Sequence, residues 1–239
     1  MTGTESLAGR VAALDWPRIR AELDSDGASI LGPLLDPVEC AALAGLFPQE
    51  APFRRHIVMG RHGYGQGEYK YFAAPLPEPV AALRQALYPP LAGVANGWAE
   101  MLGEAQRYPG DLPAFLERCA AAGQGKPTPL LLRYRPGDYN RLHQDLYGET
   151  VFPLQVVVLL SEPGRDFAGG EFVLTEQRPR MQSRAEVLPL RQGEAAAFAV
   201  RQRPARGTRG VHRVQMRHGV SRLRGGERFT LGIIFHDAA

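Results

Sequence analysis

The chain has 239 residues, of which 44% are apolar and 22% charged, with a formal net charge of +3. No apolar run approaches the roughly 18 residues of a membrane-spanning helix, and the N-terminus has neither the basic start nor the apolar block of a secretory signal. The expectation is a cytoplasmic protein with no membrane partner and room for one sizeable core. Nearly all positive charge is Arg, with Lys only at Lys70 and Lys126, so net charge by itself selects no anionic partner.

Residues 6–23 carry apolar side chains at helical spacing, interrupted near Pro17. The short run "GASILGPLL" reads as extended, and Asp36 caps a helix that has Pro37 at its first position. "FRRHIVMGRHGYGQGEYKYF" has too much Gly and aromatic alternation for a helix and reads as strand, loop, strand. Helices are expected again over 79–102 and 112–122, before "GQGKPTP" breaks the pattern. Cys40 and Cys119 fall in Ala/Leu-rich helical segments, where buried free thiols are expected; their spacing supports neither a disulfide framework nor a Cys-based metal site.

After Pro129 the texture changes to short β-type runs separated by turn signals: "LLLRY", "RLHQDL", "FPLQVVVLLS", "GEFVLTE", "AEVLPL", "EAAAFAV", "RVQMRHGV" and "RFTLGIIFH". About eight strands in a hundred residues predict a double-sheet jelly roll or a related barrel. The fold class is therefore α+β: a jelly-roll (double-stranded β-helix) core over 129–239, with an N-terminal helical and β-loop layer, 1–128, packed on it.

"NRLHQDLYGE" places His143 and Asp145 two residues apart. On a strand they share a face, with Leu142 and Gln144 on the other. An imidazole and a carboxylate together suit iron(II), manganese or zinc, although His-x-Asp alone is a weak motif. A third ligand would come from His212, His218 or His236 on a later strand. His218 is best placed, because Arg228 follows it by ten residues and opens the last strand. His212 is the competitor but lacks that offset, and His236 falls at the strand's far end. In that last strand Arg228, Thr230 and Gly232 share one face. An Arg and a Thr turned into a barrel are costly unless an anion meets them, and a carboxylate would do so in bidentate fashion.

The segment from His218 to Thr230 resembles the C-terminal signature of the iron(II)/2-oxoglutarate-dependent oxygenases, in which the distal His precedes the Arg that holds the far carboxylate of 2-oxoglutarate. "RYRPGDYNRLHQD" is similar to the Asn-x-Tyr-x-Pro-Gly-x5-His-Gln-Asp run of AlkB-type nucleic-acid demethylases, with Tyr134, Pro136, Gly137, His143, Gln144 and Asp145 in step. Two departures stand out: the Asn of that pattern is Leu132, and the second Arg of AlkB-type enzymes falls on Ile234. "FAGGEFVL" and "VLPLRQGEAAAF" resemble the prolyl-hydroxylase branch instead. The C-terminal half as a whole also resembles uncharacterised bacterial oxygenases proposed to act on damaged DNA.

The resemblance implies His143, Asp145 and His218 as metal ligands and Tyr134, Arg228 and Thr230 around 2-oxoglutarate, with iron(II) and dioxygen completing the chemistry. It implies hydroxylation or oxidative demethylation of a substrate C–H bond. The Arg-rich stretch 201–228, whose only acid is Glu227, favours a nucleic-acid substrate, with Arg206 and Arg209 on phosphates and Tyr64 and Tyr69 of a lid on a base. A peptidyl or amino-acid hydroxylase is the alternative. From another class, a non-catalytic cupin-like jelly roll or a zinc hydrolase would use the same ligands without needing Arg228 inside the barrel.

Overall fold

The computed structural model describes residues 5–178, 180–208 and 210–239. Two helices open the chain, α1 (Leu7–Ala12) and α2 (Trp16–Asp26). They part where the Asp15 side chain caps α2 by accepting from the Arg18 N–H (3.1 Å) and Pro17 sits in the first turn, where a missing N–H is harmless. Next come β1 (Ala28–Pro33), α3 (Pro37–Ala44), β2 (Phe53–Val58), β3 (Gly65–Gln66), β4 (Glu68–Phe72), α4 (Glu78–Met101) and α5 (Leu112–Ala121). Asp36 and Glu39 form a reciprocal capping box on α3, as the sequence led one to expect of Asp36.

The strand-rich half contributes β5 (Leu130–Tyr134), β6 (Tyr139–His143), β7 (Leu154–Leu159), β8 (Phe167–Gly169), β9 (Phe172–Gln177) and β10 (Arg184–Leu188). It continues with β11 (Glu194–Ala199), β12 (Gln202–Gly207), β13 (Gly210–Val220), β14 (Leu223–Gly226) and β15 (Arg228–Ile234).

Helix α4 runs straight through Pro89 and Pro90. An interior Pro costs about 3 kcal/mol, but this helix buries Val80, Leu83, Leu87, Tyr88, Leu91, Val94, Ala95 and Trp98 at three- and four-residue spacing. Each such side chain returns about 1.5–3 kcal/mol, so the apolar stripe outweighs the broken ladder.

Among the described residues the strands form an antiparallel seven-stranded sheet ordered β1-β11-β7-β15-β5-β4-β2, a smaller sheet ordered β10-β9-β13-β6-β3 with β12 beside β13, and the pair β14-β8. The centre of the large sheet is buried on both faces, which is why "LQVVVL" is apolar at every position but Gln155 rather than alternating. Leu131, Val156, Val158, Ala195, Ala197, Leu231 and Ile233 turn toward the helices and join one core. Tyr134, Val157, Leu159, Ala196 and Phe198 turn inward and join a second, with Phe172, Leu174 and Val220 of the small sheet. This is the jelly-roll core expected of the C-terminal half. Strands β1, β2 and β4, all from before residue 129, extend the same large sheet on its two flanks.

Two details differ from the sequence reading. The run "RLHQDL" is not one strand: β6 stops at His143, and Asp145 lies in the following loop. Within β6 the pairing to β13 slips, with Val220 opposite Asn140 and His218 opposite His143. Three steps on β6 thus face two on β13, the signature of a bulge at Arg141–Leu142. It lets Asn140 and His143, which alternation would send to opposite faces, both line the interior. Gly219 lies across from that bulge, where a Cβ would stand 2.7 Å from the Asn140 carbonyl oxygen.

Helix α4 is fastened to the last strand by Arg84, 3% exposed. It donates from Nε to the Ile234 carbonyl (2.9 Å) and from Nη2 to the Phe235 carbonyl (2.9 Å) and the Asp237 carboxylate (2.7 Å). Removing one partner of a buried pair strands the other. Arg84→Met is expected to lower stability in denaturant unfolding by about 3–5 kcal/mol, and a second change, Asp237→Asn, should recover part of the loss.

Candidate metal centre

Antiparallel pairing of β6 and β13 sets His143 directly opposite His218, with ring centroids 4.2 Å apart. Asp145 reaches back from the loop between them. Its Oδ1 is 3.5 Å from His143 Nε2 and its Oδ2 3.3 Å from His218 Nε2. One donor atom from each of the three residues lies within 4.8 Å of the others. His143 Nδ1 is 2.7 Å from the Arg141 carbonyl oxygen; a carbonyl only accepts, so Nδ1 carries the proton and the Nε2 lone pair faces inward. His218 is 5% exposed and flanked by Phe198 and Phe172, with ring centroids at 4.7 and 6.0 Å.

The electrostatics favour cation binding. Burial on its own would raise the Asp145 carboxyl, but the imidazoles of His218 and His143 and the Gln155 amide together hold it below the usual carboxylate range. Burial and the proximity of His143 lower the His218 imidazole against the pull of Asp145. At neutral pH the set is one carboxylate with His218 held neutral, the protonation state in which it can accept a metal.

The same interior holds a candidate anion anchor. Arg228 and Tyr134 are register partners on β15 and β5, and Thr230 follows on the same face; all three are at most 2% exposed. The guanidinium carbon lies 5.6 Å from the Tyr134 ring centroid and 5.8 Å from that of Phe167. Its one side-chain hydrogen bond is a long one from Nη1 to Thr230 Oγ1, 3.4 Å. Among the described residues no carboxylate pairs with it, and both Arg228 Nε and the Tyr134 hydroxyl are buried without a partner. Burial brings Arg228 down to about 10 and pushes Tyr134 up to about 12, so at neutral pH one is a cation and the other a neutral donor.

Ligand set and anchor share one cavity of about 710 Å³. Tyr69, Tyr71, Leu132, Asn140, Tyr147 and Gln155 also line it, and Arg55, Lys126, Arg141, Tyr64, Leu142 and Leu146 stand at its exposed rim. Tyr64 is 51% exposed and stacks on His62, with centroids 5.3 Å apart and planes at 21°.

Of the residues expected from sequence, His143, Asp145, His218, Tyr134, Arg228, Thr230, Tyr64 and Tyr69 all line this cavity. Arg206 does not: it is exposed on β12 and absent from the lining, and Arg209 lies outside the described residues. Arg206 stands opposite Val211 at the exposed Gly207–Gly210 end of the β12–β13 pair. On β13 Val214, Met216 and His218 point inward, whereas Arg213, Gln215 and Arg217 point to solvent. The stretch 201–217 is mostly the β12–β13 hairpin. His212, paired with Ala205, stands six residues, or roughly 20 Å, along the strand from His218 and is no alternative ligand.

Sequence reasoning passed over Gln155, Asn140 and Tyr147. Gln155 had a signal, as the lone polar residue inside "FPLQVVVLL"; Asn140 had none, since the bulge is invisible in the pattern.

A family model described as an oxygenase catalysing oxidative methylation of damaged DNA matches residues 67–238. The chain belongs to this oxygenase family. It is also 51% identical over 168 residues to an uncharacterised protein of Mycobacterium tuberculosis, covering 70% of this chain and 72% of that one. Among solved structures, a 2OG-Fe(II) oxygenase-family oxidoreductase from Burkholderia pseudomallei is similar over 94% of this chain and 93% of its own (TM-score 0.54, 18% identity). A prolyl-4-hydroxylase from Pseudomonas putida is similar over 94% and 100% (TM-score 0.52, 16% identity). These two share the oxygenase's fold. Among its described residues no helix is long and apolar enough to cross a membrane.

His236, the third candidate ligand, is fully buried but lies outside the ligand set, with the Tyr147 ring beside it at a centroid distance of 6.0 Å. Its Nδ1 accepts from the Phe152 N–H (3.3 Å), and burial pushes its pKa down to about 4. The unfolded chain protonates it near the ordinary value of about 6.5. Its contribution to stability is therefore complete above that pH and lost as pH falls toward 4. His236→Gln keeps an acceptor for Phe152 without the titration. Urea unfolding from pH 6.5 to 4 should show the wild type losing about 3 kcal/mol more than this variant.

Proposed function

We propose that His143, Asp145 and His218 hold iron(II), that Arg228, Thr230 and Tyr134 hold 2-oxoglutarate, and that the oxygenase oxidises an N-methyl group on an alkylated nucleic-acid base. The observation that carries this reading is the buried Arg228–Tyr134 pair, two unpartnered donors in one cavity with a three-residue ligand set. The residues fit the group: two imidazoles and a carboxylate suit iron(II) and leave coordination positions open, and a buried cation beside a neutral hydroxyl suits a carboxylate. A zinc hydrolase or a cupin-like binding module would leave Arg228 buried with nothing to meet it.

Bound iron(II), 2-oxoglutarate and dioxygen together supply oxidation of an unactivated C–H bond, releasing succinate and carbon dioxide. The chain itself binds, orients and excludes water. Arg228 takes the distal carboxylate of the co-substrate, with Thr230 steadying the guanidinium and the Tyr134 hydroxyl donating to an oxygen. Leu132, which replaces the Asn of the AlkB-type pattern, stands across from Thr230 in the ladder and keeps that side of the cavity apolar. Phe172 and Phe198 dry the flank of His218. Hydroxylation of an N-methyl carbon gives an unstable hydroxymethyl group, which leaves as formaldehyde.

The nucleic-acid reading is supported by the family description and by the rim, not by the arginines beyond Arg201. Arg55, Lys126 and Arg141 would meet phosphates, and the exposed Tyr64 on His62 offers a stacking surface for a base.

Anaerobic addition of iron(II) and 2-oxoglutarate should give a weak visible charge-transfer band that His143→Ala abolishes. Arg228→Leu should raise the half-saturating 2-oxoglutarate concentration about 100-fold, from about 3 kcal/mol of charge-assisted hydrogen bonding. Formaldehyde and succinate should be released in equal amounts from a single-stranded oligonucleotide containing 1-methyladenine, with binding that weakens as salt rises. Succinate release with prolyl peptides but not with methylated oligonucleotides would move the enzyme to the peptidyl-hydroxylase class.

A further inference from the structure

Both imidazoles of the ligand set are registered by backbone pairing, His143 at the end of β6 and His218 within β13. Asp145 is not. It stands in the 144–153 connection between β6 and β7, where no ladder fixes its position. Side chains do that work instead. Gln124, 1% exposed, donates from Nε2 to the carbonyls of Tyr147 (2.9 Å), Thr150 (3.0 Å) and Asp237 (2.6 Å), and its Oε1 accepts from the Thr150 N–H (2.8 Å). Gln144 Nε2 donates to the Met216 carbonyl (2.8 Å), tying the loop to β13. These contacts hold the backbone but leave the carboxylate free to rotate.

Two further donors address the carboxylate itself. The Tyr147 hydroxyl donates to Oδ1 and Gln155 Nε2 to Oδ2, each at 2.8 Å. Gln155 is the more telling of the two. It is 4% exposed, on the inward face of β7 beside Val157 and Leu159, in a strand whose every position is buried. A carboxylate can only accept, so the amide must turn its nitrogen to Asp145. That choice leaves Oε1 buried without any hydrogen-bond partner, which is destabilising. An apolar side chain of the same length would fill the space without that penalty. The amide carries that cost, and what it provides lies at Asp145, where its N–H steadies the carboxylate.

We propose that Gln155, seconded by Tyr147, is a positioning residue that locks the Asp145 carboxylate in the rotation at which it faces both imidazoles, and so sets the affinity of the site for a divalent cation. This rests on the metal-site reading above. A purely structural Gln155 and a positioning one make different forecasts for the metal: loss of a structural residue lowers stability and leaves metal affinity and the spectrum of the bound ion unchanged, whereas loss of this one changes both. Partners of this kind commonly change metal affinity 10- to 100-fold or about that.

The test uses Mn2+ as the probe, with free and bound ion read by electron paramagnetic resonance and no turnover required. Gln155→Met keeps the length and removes the donor; Tyr147→Phe removes one hydroxyl. Both are expected to weaken Mn2+ binding, Gln155→Met by about 10- to 100-fold, and to alter the spectrum of the bound ion. Cooperative denaturant unfolding of metal-free Gln155→Met checks that the variant is folded. Wild-type affinity together with an unchanged bound-ion spectrum in Gln155→Met overturns the proposal. His143→Ala separates the two levels of the argument: if the wild type binds Mn2+ no better than His143→Ala, the metal centre itself is wrong. If the wild type binds well and Gln155→Met matches it, only the role of Gln155 falls.

Discussion

The pairing of β6 with β13 is the constraint on which the centre depends. It is a backbone interaction, indifferent to which side chains it carries, yet it alone brings His143 opposite His218. Because side chains alternate along a strand, a slip of one residue would turn either imidazole out of the barrel. The slip that does occur is absorbed at Arg141–Leu142, and the bulge serves the site by presenting Asn140 and His143 on one side. β13 tolerates the close approach because Gly219 has no Cβ to meet the Asn140 carbonyl. Ligand geometry here is a consequence of strand register, with Asp145 as the exception that side chains must hold.

Much of this was legible in the sequence. The fixed offset from His218 to Arg228, with Thr230 two residues on, pointed to one inward face of the last strand, and Arg228, Thr230 and Gly232 do line the cavity together. The same offset separated His218 from His212, which shares its strand parity but sits at the far end of a hairpin. What could not be read was anything set by pairing partners. The bulge in β6 has no local signature, and the expected strand "RLHQDL" overran it because Asp145 follows His143 with the spacing of a strand while lying in a loop. The arginines after residue 200 were visible as a positive run, but composition does not say which face of a sheet a residue occupies. Arg213 and Arg217 alternate with Val214, Met216 and His218 and turn outward, whereas Arg203 is buried against Glu176 and Arg228 faces the cavity. The charges that border the cavity come from Arg55, Lys126 and Arg141, scattered over the first two thirds of the chain and invisible as a cluster.

The replacement of the expected second Arg by Ile234 follows the same logic. Ile234 packs with Ile57, Tyr71 and Leu130 in a small apolar cluster, with Tyr69, Leu132 and Tyr147 against it. Three of these residues, Ile57, Tyr69 and Tyr71, come from strands β2 and β4 that precede the jelly roll in sequence. The N-terminal region therefore does more than cover the barrel: through β2 and β4 it supplies one wall of the cavity. An Arg at 234 would have to find an anion in that cluster, and none of those side chains is one.

Seven buried side-chain polar atoms lack a hydrogen-bond partner among the described residues, and four of them belong to residues lining this one cavity: the Tyr134 hydroxyl, Gln155 Oε1, His218 Nδ1 and Arg228 Nε. Native interiors satisfy the great majority of such atoms, so their concentration in one place marks where the fold has been compromised for something other than stability. The compensation lies on the opposite face of the same strands. There the large sheet meets α1, α2 and α4 in a core of Leu, Val, Ala and aromatic side chains, and Arg84 satisfies the last strand's carbonyls from the helix side. A barrel with both faces tuned to a site could not hold itself together; this one can leave donors unpaired inside because the helical layer fixes the strands from outside.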